Sequence, residues 1–189
     1  IWKGLVGSEM CIRDSVTYTP GAMSDAVADQ VFALLLGMTR QLVPGDQTVK
    51  AAGKYDVSIG EDLSAMTLGL VGCGRIGAEV VRRALGFRMR VLVHDPWVDD
   101  SVIRDMGAEA VDRETLLGAS DAITLHTPMT EQNKDMVDRS FLAAMKTGSY
   151  LINTARGGLV DETALIEALQ SGHLQGCLLY TSDAADDGL

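Results

Sequence analysis

The stretch around Gly72-Cys73-Gly74-Arg75-Ile76-Gly77 constrains this chain more than any other. A strand-like run, Thr67 to Val71, leads into it, and apolar residues at helical spacing follow over 76–85. The backbone must therefore leave a strand, reverse through glycines and enter a helix within a few residues. In such a turn Gly72 permits the sharp bend and Gly74 the close approach of backbone to a pyrophosphate. Gly77 lets helix and strand pack tightly, and the unpaired N–H groups at the helix N-terminus face the phosphate charge. The pattern alone is weak, and its context is what strengthens it. A second strand-like run, 90–94, ends at Asp95, 18 residues beyond Gly77. A carboxylate there can accept hydrogen bonds from adenosine ribose hydroxyls and repels a 2′-phosphate, so NAD is expected over NADP. The plainer alternative is a glycine-rich turn with a capping Asp before Pro96.

The rest of the chain repeats the strand and helix alternation. After the Thr19-Pro20-Gly21 turn, Ser24 is expected to cap a helix carrying Val27, Val31, Leu34, Leu35, Met38 and Leu42, ending near Pro44-Gly45. A polar, Gly-containing connection, read as a short helix or arm, runs to Asp62. Beyond the glycine motif, helices are expected over 101–106, 114–117, 140–145 and 162–170, the last closed by Gly172, and strands over 122–126 and 150–153. Such a series implies an α/β fold, a Rossmann-type doubly wound parallel sheet with helices on both faces.

Composition narrows the function. A formal charge of −10 argues against a nucleic-acid partner, because phosphate backbones are bound by clustered Lys and Arg. The apolar run Val31 to Leu36 is far short of the roughly 20 residues that cross a bilayer, so no membrane partner is expected. Cys11, Cys73 and Cys177 have neither CxxC spacing nor the density of a secreted scaffold. They imply no metal site and no disulfide framework, and a reducing, cytoplasmic setting is the default.

The two ends break the pattern. LVGSEMCIRDS at 5–15 and CLLYTSDAADD at 177–187 match the periodicity of neither neighbour. Back-translated, their inner parts are reverse complements of one another, and both resemble the transposase adapters that flank inserts in shotgun sequencing libraries. Residues 1–15 and 177–189 are therefore expected to be read-through, leaving 16–176 as the native stretch with Cys73 its single cysteine. Cys73 occupies a variable position of the glycine loop and reads as a small filler.

Two more motifs sit where strands end, the edge at which open parallel sheets bind ligands. His126-Thr127-Pro128 follows one strand and Asn153-Thr154-Ala155-Arg156-Gly157-Gly158 another. Arg156, between small neighbours and a glycine pair, can hold a substrate carboxylate bidentately and polarise the adjacent carbonyl. It can equally pair with Asp161 or Glu162, and spacing alone leaves the two readings level.

Together these residues resemble the D-isomer-specific 2-hydroxyacid dehydrogenases, which include phosphoglycerate dehydrogenase and the hydroxypyruvate and glyoxylate reductases. The resemblance covers 16–176 and is carried by TPGAMSDAVADQ, TLGLVGCGRIG, VHDP, LHTP, MKTGSYLINTARGGLVDE and ALQSGHLQG, in that order. It implies that Gly72, Gly74, Arg75, Ile76 and Gly77 hold the pyrophosphate of NAD and that Asp95 meets the adenosine ribose. It further implies that Thr127, Thr154 and Ala155 line the cofactor and that Arg156 is the catalytic arginine. The implied reaction moves a hydride between nicotinamide and a small D-2-hydroxy or 2-oxo acid, 3-phosphoglycerate first, with hydroxypyruvate or glyoxylate reduction as the alternative. An NAD-sensing corepressor of the same fold is a further alternative. The family's catalytic Glu and His follow the final strand, where Tyr180 and Ala185 stand in place of a cofactor Asp and the Glu. The fragment is therefore expected to lack turnover and most of the substrate domain. The helix from Ser24 and its arm are expected to contribute to a homodimer or higher homo-oligomer, and His173 to be a surface residue.

Overall fold

The computed structural model describes residues 21–53 and 59–179. The expectations for 1–15, Tyr180 and Ala185 lie outside the described residues. Six parallel strands form one sheet: β1 (Thr67–Val71), β2 (Arg90–His94), β3 (Glu109–Ala110), β4 (Ala122–Leu125), β5 (Ser149–Asn153) and β6 (Leu174–Leu179). Their order is β3-β2-β1-β4-β5-β6, so the chain winds outward one way from β1 and then the other way from β4. The direction reverses between β1 and β4, and at that point the two carboxyl-end loops diverge and leave a crevice.

The described residues form seven α-helices, of which α2 packs on α1 and the others flank the sheet: α1 (Ser24–Thr39), α2 (Leu42–Ala52), α3 (Arg75–Gly86), α4 (Asp100–Asp105), α5 (Arg113–Ala119), α6 (Arg139–Ala144) and α7 (Glu162–Gln170). Side chains alternate across each strand and so build two cores. On one face Leu68 and Leu70 of β1 and Ile152 of β5 meet Val31 and Leu35 of α1 and Val80 and Val81 of α3. On the other, Ile123 and Leu125 of β4 and Leu151 of β5 meet Leu116 of α5, Phe141 of α6 and Leu165 of α7. On this second face Gly69 lets α5 approach, since a Cβ there would lie 2.4 Å from Ser120 Oγ.

Helix ends follow side-chain chemistry. Asp99, Asp112, Asp138 and Asp161 each accept backbone N–H groups at the head of α4, α5, α6 and α7. Asp161 takes two, from Thr163 at 2.9 Å and Ala164 at 3.1 Å. Asp161→Ala is expected to cost about 1 kcal/mol, a fall in Tm of about 3 °C by thermal melting.

Several boundaries differ from the sequence reading. α1 starts without a side-chain cap: Ser24 is its first residue, after Met23, and Ser24 N donates to Gly21 O at 3.1 Å. α1 stops at Thr39 rather than near Pro44, because Gln41 takes a left-handed conformation (φ 51°) and starts α2. Pro44 then falls in the first turn of α2, where a missing N–H costs nothing. The Val31 and Leu35 stripe of α1 is fully buried, and Phe32 stacks on Phe87 with centroids 5.2 Å apart. Leu42, Val43 and Val49 of α2 are exposed, as are Ile59 and Trp97 elsewhere.

β6 runs past Gly176 through Cys177, Leu178 and Leu179, which pair with Leu151, Ile152 and Asn153. An edge position beside β5 asks only for apolar residues and free backbone groups, which Cys-Leu-Leu supplies whatever its origin. His173 is half-buried and bonded, not simply a surface residue. Its Nε2 lies 2.9 Å from Leu142 O, and its carbonyl accepts from Gly148 N at 2.7 Å, which ties the turn before β6 to α6 and β5.

Candidate functional site

Three loops leave the carboxyl ends of β1, β4 and β5, and every expected site residue except Asp95 lies on them or at the head of α3. Asp95 follows β2 beside them. The glycines divide the work sterically. Gly72 has φ +92°, and a Cβ on it would stand 2.9 Å from the carbonyl carbon and oxygen of His126. Gly77 packs α3 onto the turn, where a Cβ would come 2.8 Å from Gly72 O. Around Gly74, by contrast, nothing lies within 4 Å of a built Cβ. Gly72 and Gly77 thus close the turn against the protein, while Gly74 leaves its outer flank open above the head of α3. This is a cradle shaped for a group that approaches backbone closely, and the helix-end N–H groups favour an anion there. Arg75, the first residue of α3, is exposed, and Ile76 is half-buried against the first core.

Asp95 is half-buried and engages the turn directly: Cys73 N donates to its Oδ2 at 2.7 Å and Trp97 N to its Oδ1 at 2.8 Å. Burial, and then the charge of Asp95, push the Cys73 thiol up to about 11. At neutral pH it is protonated and a poor nucleophile, in keeping with its reading as filler.

On the β4 loop, Thr127 neighbours Asn133, whose side chain donates to Pro128 O at 2.6 Å and accepts from Thr130 N at 2.6 Å. Asn133 thereby folds the segment that presents Thr127. His126 is turned inward, its Nε2 3.0 Å from Thr124 Oγ1, and desolvation lowers its pKa to about 4.

On the β5 loop, Asn153 is fully buried and grips the turn from below. Its Oδ1 accepts from Ala155 N at 3.0 Å, and its Nδ2 donates to Arg156 O at 2.7 Å. The hydroxyl of Thr154 is buried and has no hydrogen-bond partner. An orphaned buried hydroxyl is costly, and a polar ligand at the crevice would satisfy it. The open flank of Gly74 at the head of α3 fits the pyrophosphate of a dinucleotide. Arg156 is exposed, and among the described residues no carboxylate lies within ion-pair distance of it; it donates only to Ala155 O at 2.8 Å. Asp161 caps α7 through Oδ1, and neither it nor Glu162 lies within ion-pair distance of Arg156.

The loops lean on each other. Asp135 N donates to Gly158 O at 2.9 Å, and a Cβ at Gly158 would lie 2.8 Å from Met129 Sδ. The second glycine of the Arg156 loop is therefore the seat for Met129 of the neighbouring loop. The sequence reading assigned no role to Asn133 or Asn153. A polar amide at a strand end before a turn is an available signal, since Asn hydrogen-bonds backbone two residues on.

The comparisons with known proteins agree with this fold. The family model described as D-isomer specific 2-hydroxyacid dehydrogenase, NAD binding domain, matches residues 32–183. A glyoxylate reductase of Korarchaeum cryptofilum is 42% identical over 167 residues, covering 85% of this chain and 50% of that protein. A D-3-phosphoglycerate dehydrogenase of Bacillus subtilis is 36% identical over 165 residues, covering 87% of this chain and 31% of its own length. Among solved structures, the D-lactate dehydrogenase of Aquifex aeolicus complexed with NAD and lactic acid superposes with a TM-score of 0.82 at 34% identity, over 90% of this chain and 53% of that one. The chain spans about half the length of the first curated relatives it matches.

Proposed function

Because this chain belongs to the D-isomer-specific 2-hydroxyacid dehydrogenases, as their NAD-binding domain, we propose that it is the cofactor-holding part of an enzyme acting on a small D-2-hydroxy or 2-oxo acid. The observation that carries this reading is the cradle itself: two glycines closed against protein and one open at the head of α3. NAD supplies hydride transfer at its nicotinamide ring. The chain's residues do the binding and orienting: Gly72, Gly74, Arg75, Ile76 and Gly77 at the pyrophosphate, Asp95 at the ribose, and Thr127, Thr154 and Ala155 along the dinucleotide. Arg156, with no carboxylate at ion-pair distance among the described residues, takes the substrate carboxylate and polarises its 2-oxo group.

For the substrate, relatives at 42% identity named glyoxylate reductase favour glyoxylate over 3-phosphoglycerate, which the residues first suggested. Phosphoglycerate stays the second reading, supported by VHDP, HTP and the dehydrogenases at 36% identity. Assays of the parent protein separate them: reduction of glyoxylate with no oxidation of 3-phosphoglycerate supports the first, and the reverse supports the second.

This chain alone is expected to bind NAD without turning over. It contains three histidines, and each ring is engaged internally: His94 Nδ1 3.1 Å from Val111 O, His126 with Thr124, and His173 with Leu142. These bonds fit rings that serve the fold, in keeping with the expected lack of turnover. We further propose that 1–15 and 177–189 are read-through, that the parent works in the cytoplasm, and that Leu42, Val43 and Val49 of α2 contribute to self-association. No single helix among the described residues is long and apolar enough to cross a membrane. Calorimetry on the chain checks the central claim: NAD is expected to bind, NADP more weakly, and 2-oxo acids with NADH to give no absorbance change at 340 nm, the usual wavelength of about 340 nm for reduced nicotinamide. Steady turnover, or NADP binding as tightly as NAD, would overturn it.

A further inference from the structure

Asp95 touches more than a ribose site requires. One carboxylate oxygen accepts the Cys73 amide at 2.7 Å and the other the Trp97 amide at 2.8 Å. Cys73 stands between Gly72 and Gly74, the most rotatable neighbours a peptide can have. Gly72 N donates to His94 O at 3.0 Å, so two consecutive amides of the turn are fastened to the end of β2. The second of these fastenings is a side chain, and it is the last restraint before the open flank of Gly74.

We propose that Asp95 is a positioning residue for the phosphate-binding turn as well as a ribose acceptor. It holds the Cys73 peptide so that the amides at the head of α3 face the crevice before any ligand arrives. The proposal rests on the reading that this turn takes the pyrophosphate. Chemistry explains why an ionised carboxylate is needed. It accepts at both oxygens and keeps a lone pair on each for ribose hydroxyls, whereas an Asn side chain would set an NH2 donor against one of the two backbone N–H groups. It follows that replacing Asp95 to admit a 2′-phosphate also loosens the turn. A change of cofactor to NADP therefore requires a second acceptor for the Cys73 amide.

The test uses the 189-residue chain, with Asp95→Asn and Asp95→Ala. Amide hydrogen exchange by NMR is measured without ligand, and calorimetry is run with NAD and with an NAD analogue lacking both adenosine ribose hydroxyls. Exchange is expected to quicken by about tenfold or more at Cys73 in Asp95→Ala, and at Cys73 or Trp97, whichever amide then faces the NH2, in Asp95→Asn, as loss of a hydrogen bond to a charged group implies, with Leu68 and Leu70 of β1 still protected. Both variants are expected to bind the analogue about tenfold more weakly than the unsubstituted chain does. Unchanged exchange at Cys73 in Asp95→Ala, or at both Cys73 and Trp97 in Asp95→Asn, overturns the proposal. So does undiminished affinity for the analogue, which would mean that Asp95 speaks only to the ribose. If the unsubstituted chain binds neither ligand, the pyrophosphate reading fails, and the exchange rates alone decide whether Asp95 holds the turn. If Asp95→Ala loses the β1 protection as well, the near-isosteric Asp95→Asn decides.

Discussion

Gly72→Val is expected to lower Tm by about 10 °C or more and to abolish NAD binding. Two costs combine. At φ +92° any L side chain is strained, by about 1–2 kcal/mol or more. The added Cβ would also meet the His126 carbonyl at 2.9 Å, and that carbonyl cannot retreat, because His126 N is bonded to Val71 O at 2.8 Å where β4 lies beside β1. Together these amount to about 3–5 kcal/mol, and each kcal/mol moves Tm by about 2–4 °C in a chain of this size. Gly74→Ala makes the contrast. Its φ of −74° is ordinary and its Cβ meets no protein atom, so Tm should hold within about 2 °C while NAD affinity falls, since the methyl enters the open flank. Thermal melts and calorimetry on both variants check the division. A Gly74→Ala chain that binds NAD as tightly as before would show that the flank is not the ligand's path.

Acidification from pH 7 to about pH 4 is expected to cost up to about 3 kcal/mol through His126 alone. Desolvation holds the folded imidazole at about 4, below its ordinary 6.5. Between those values the unfolded chain binds a proton and the folded chain does not, so stability is full above pH 6.5 and drains away as pH falls toward 4. Below 4 both forms are charged and this loss levels off. The carboxylates add their own loss lower down. Asp99, held low first by the Ser101 hydroxyl, and Asp112 and Asp138, held low first by the Thr115 and Phe141 amides, stabilise above the usual carboxylate range. That contribution disappears as pH falls through their lowered values. Because the lowered Glu109 carboxylate, held first by Arg90, begins its loss near its ordinary 4.5, the histidine's share of the window from 6.5 to 4 is the part a His126 variant removes. His126→Asn, which can keep a bond to Thr124, should flatten the change in Tm across that window by about 5 °C or more. An undiminished slope in the variant would place the titration elsewhere.

The local alphabet of this fold was legible in order. Thr67–Val71 and Arg90–His94 form strands where alternation of apolar segment and turn placed them, and α7 spans 162–170 as read. These elements are specified by neighbours in sequence: an Asp that caps, a Gly that turns, a run apolar enough to be buried on both faces. The glycine turn and Asp95 were legible for the same reason, because spacing along the chain is what they must satisfy. β3 was missed, since its two residues have no pattern of their own and pair with β2 only because the turn after α4 delivers them there. The break between α1 and α2 was misplaced, because Pro44 looks like a terminator until Gln41 has already ended the first helix.

Distance along the chain hid the rest of the site. The sequence by itself determined which residues are chemically able to serve a dinucleotide and an acid: the glycines, Asp95, Thr154 and Arg156. Only the tertiary structure decided which of them are free to do so. Arg156 could have been neutralised by Asp161 or Glu162, and the folded loop holds it within ion-pair distance of neither. Asn133 and Asn153 gained their roles only once their loops had folded back, and Gly158 once Met129 crossed from the neighbouring loop. The physical reason is that a hydrogen-bonding group has several affordable partners in an extended chain, and packing selects one by bringing it within 3 Å or so and burying the alternatives.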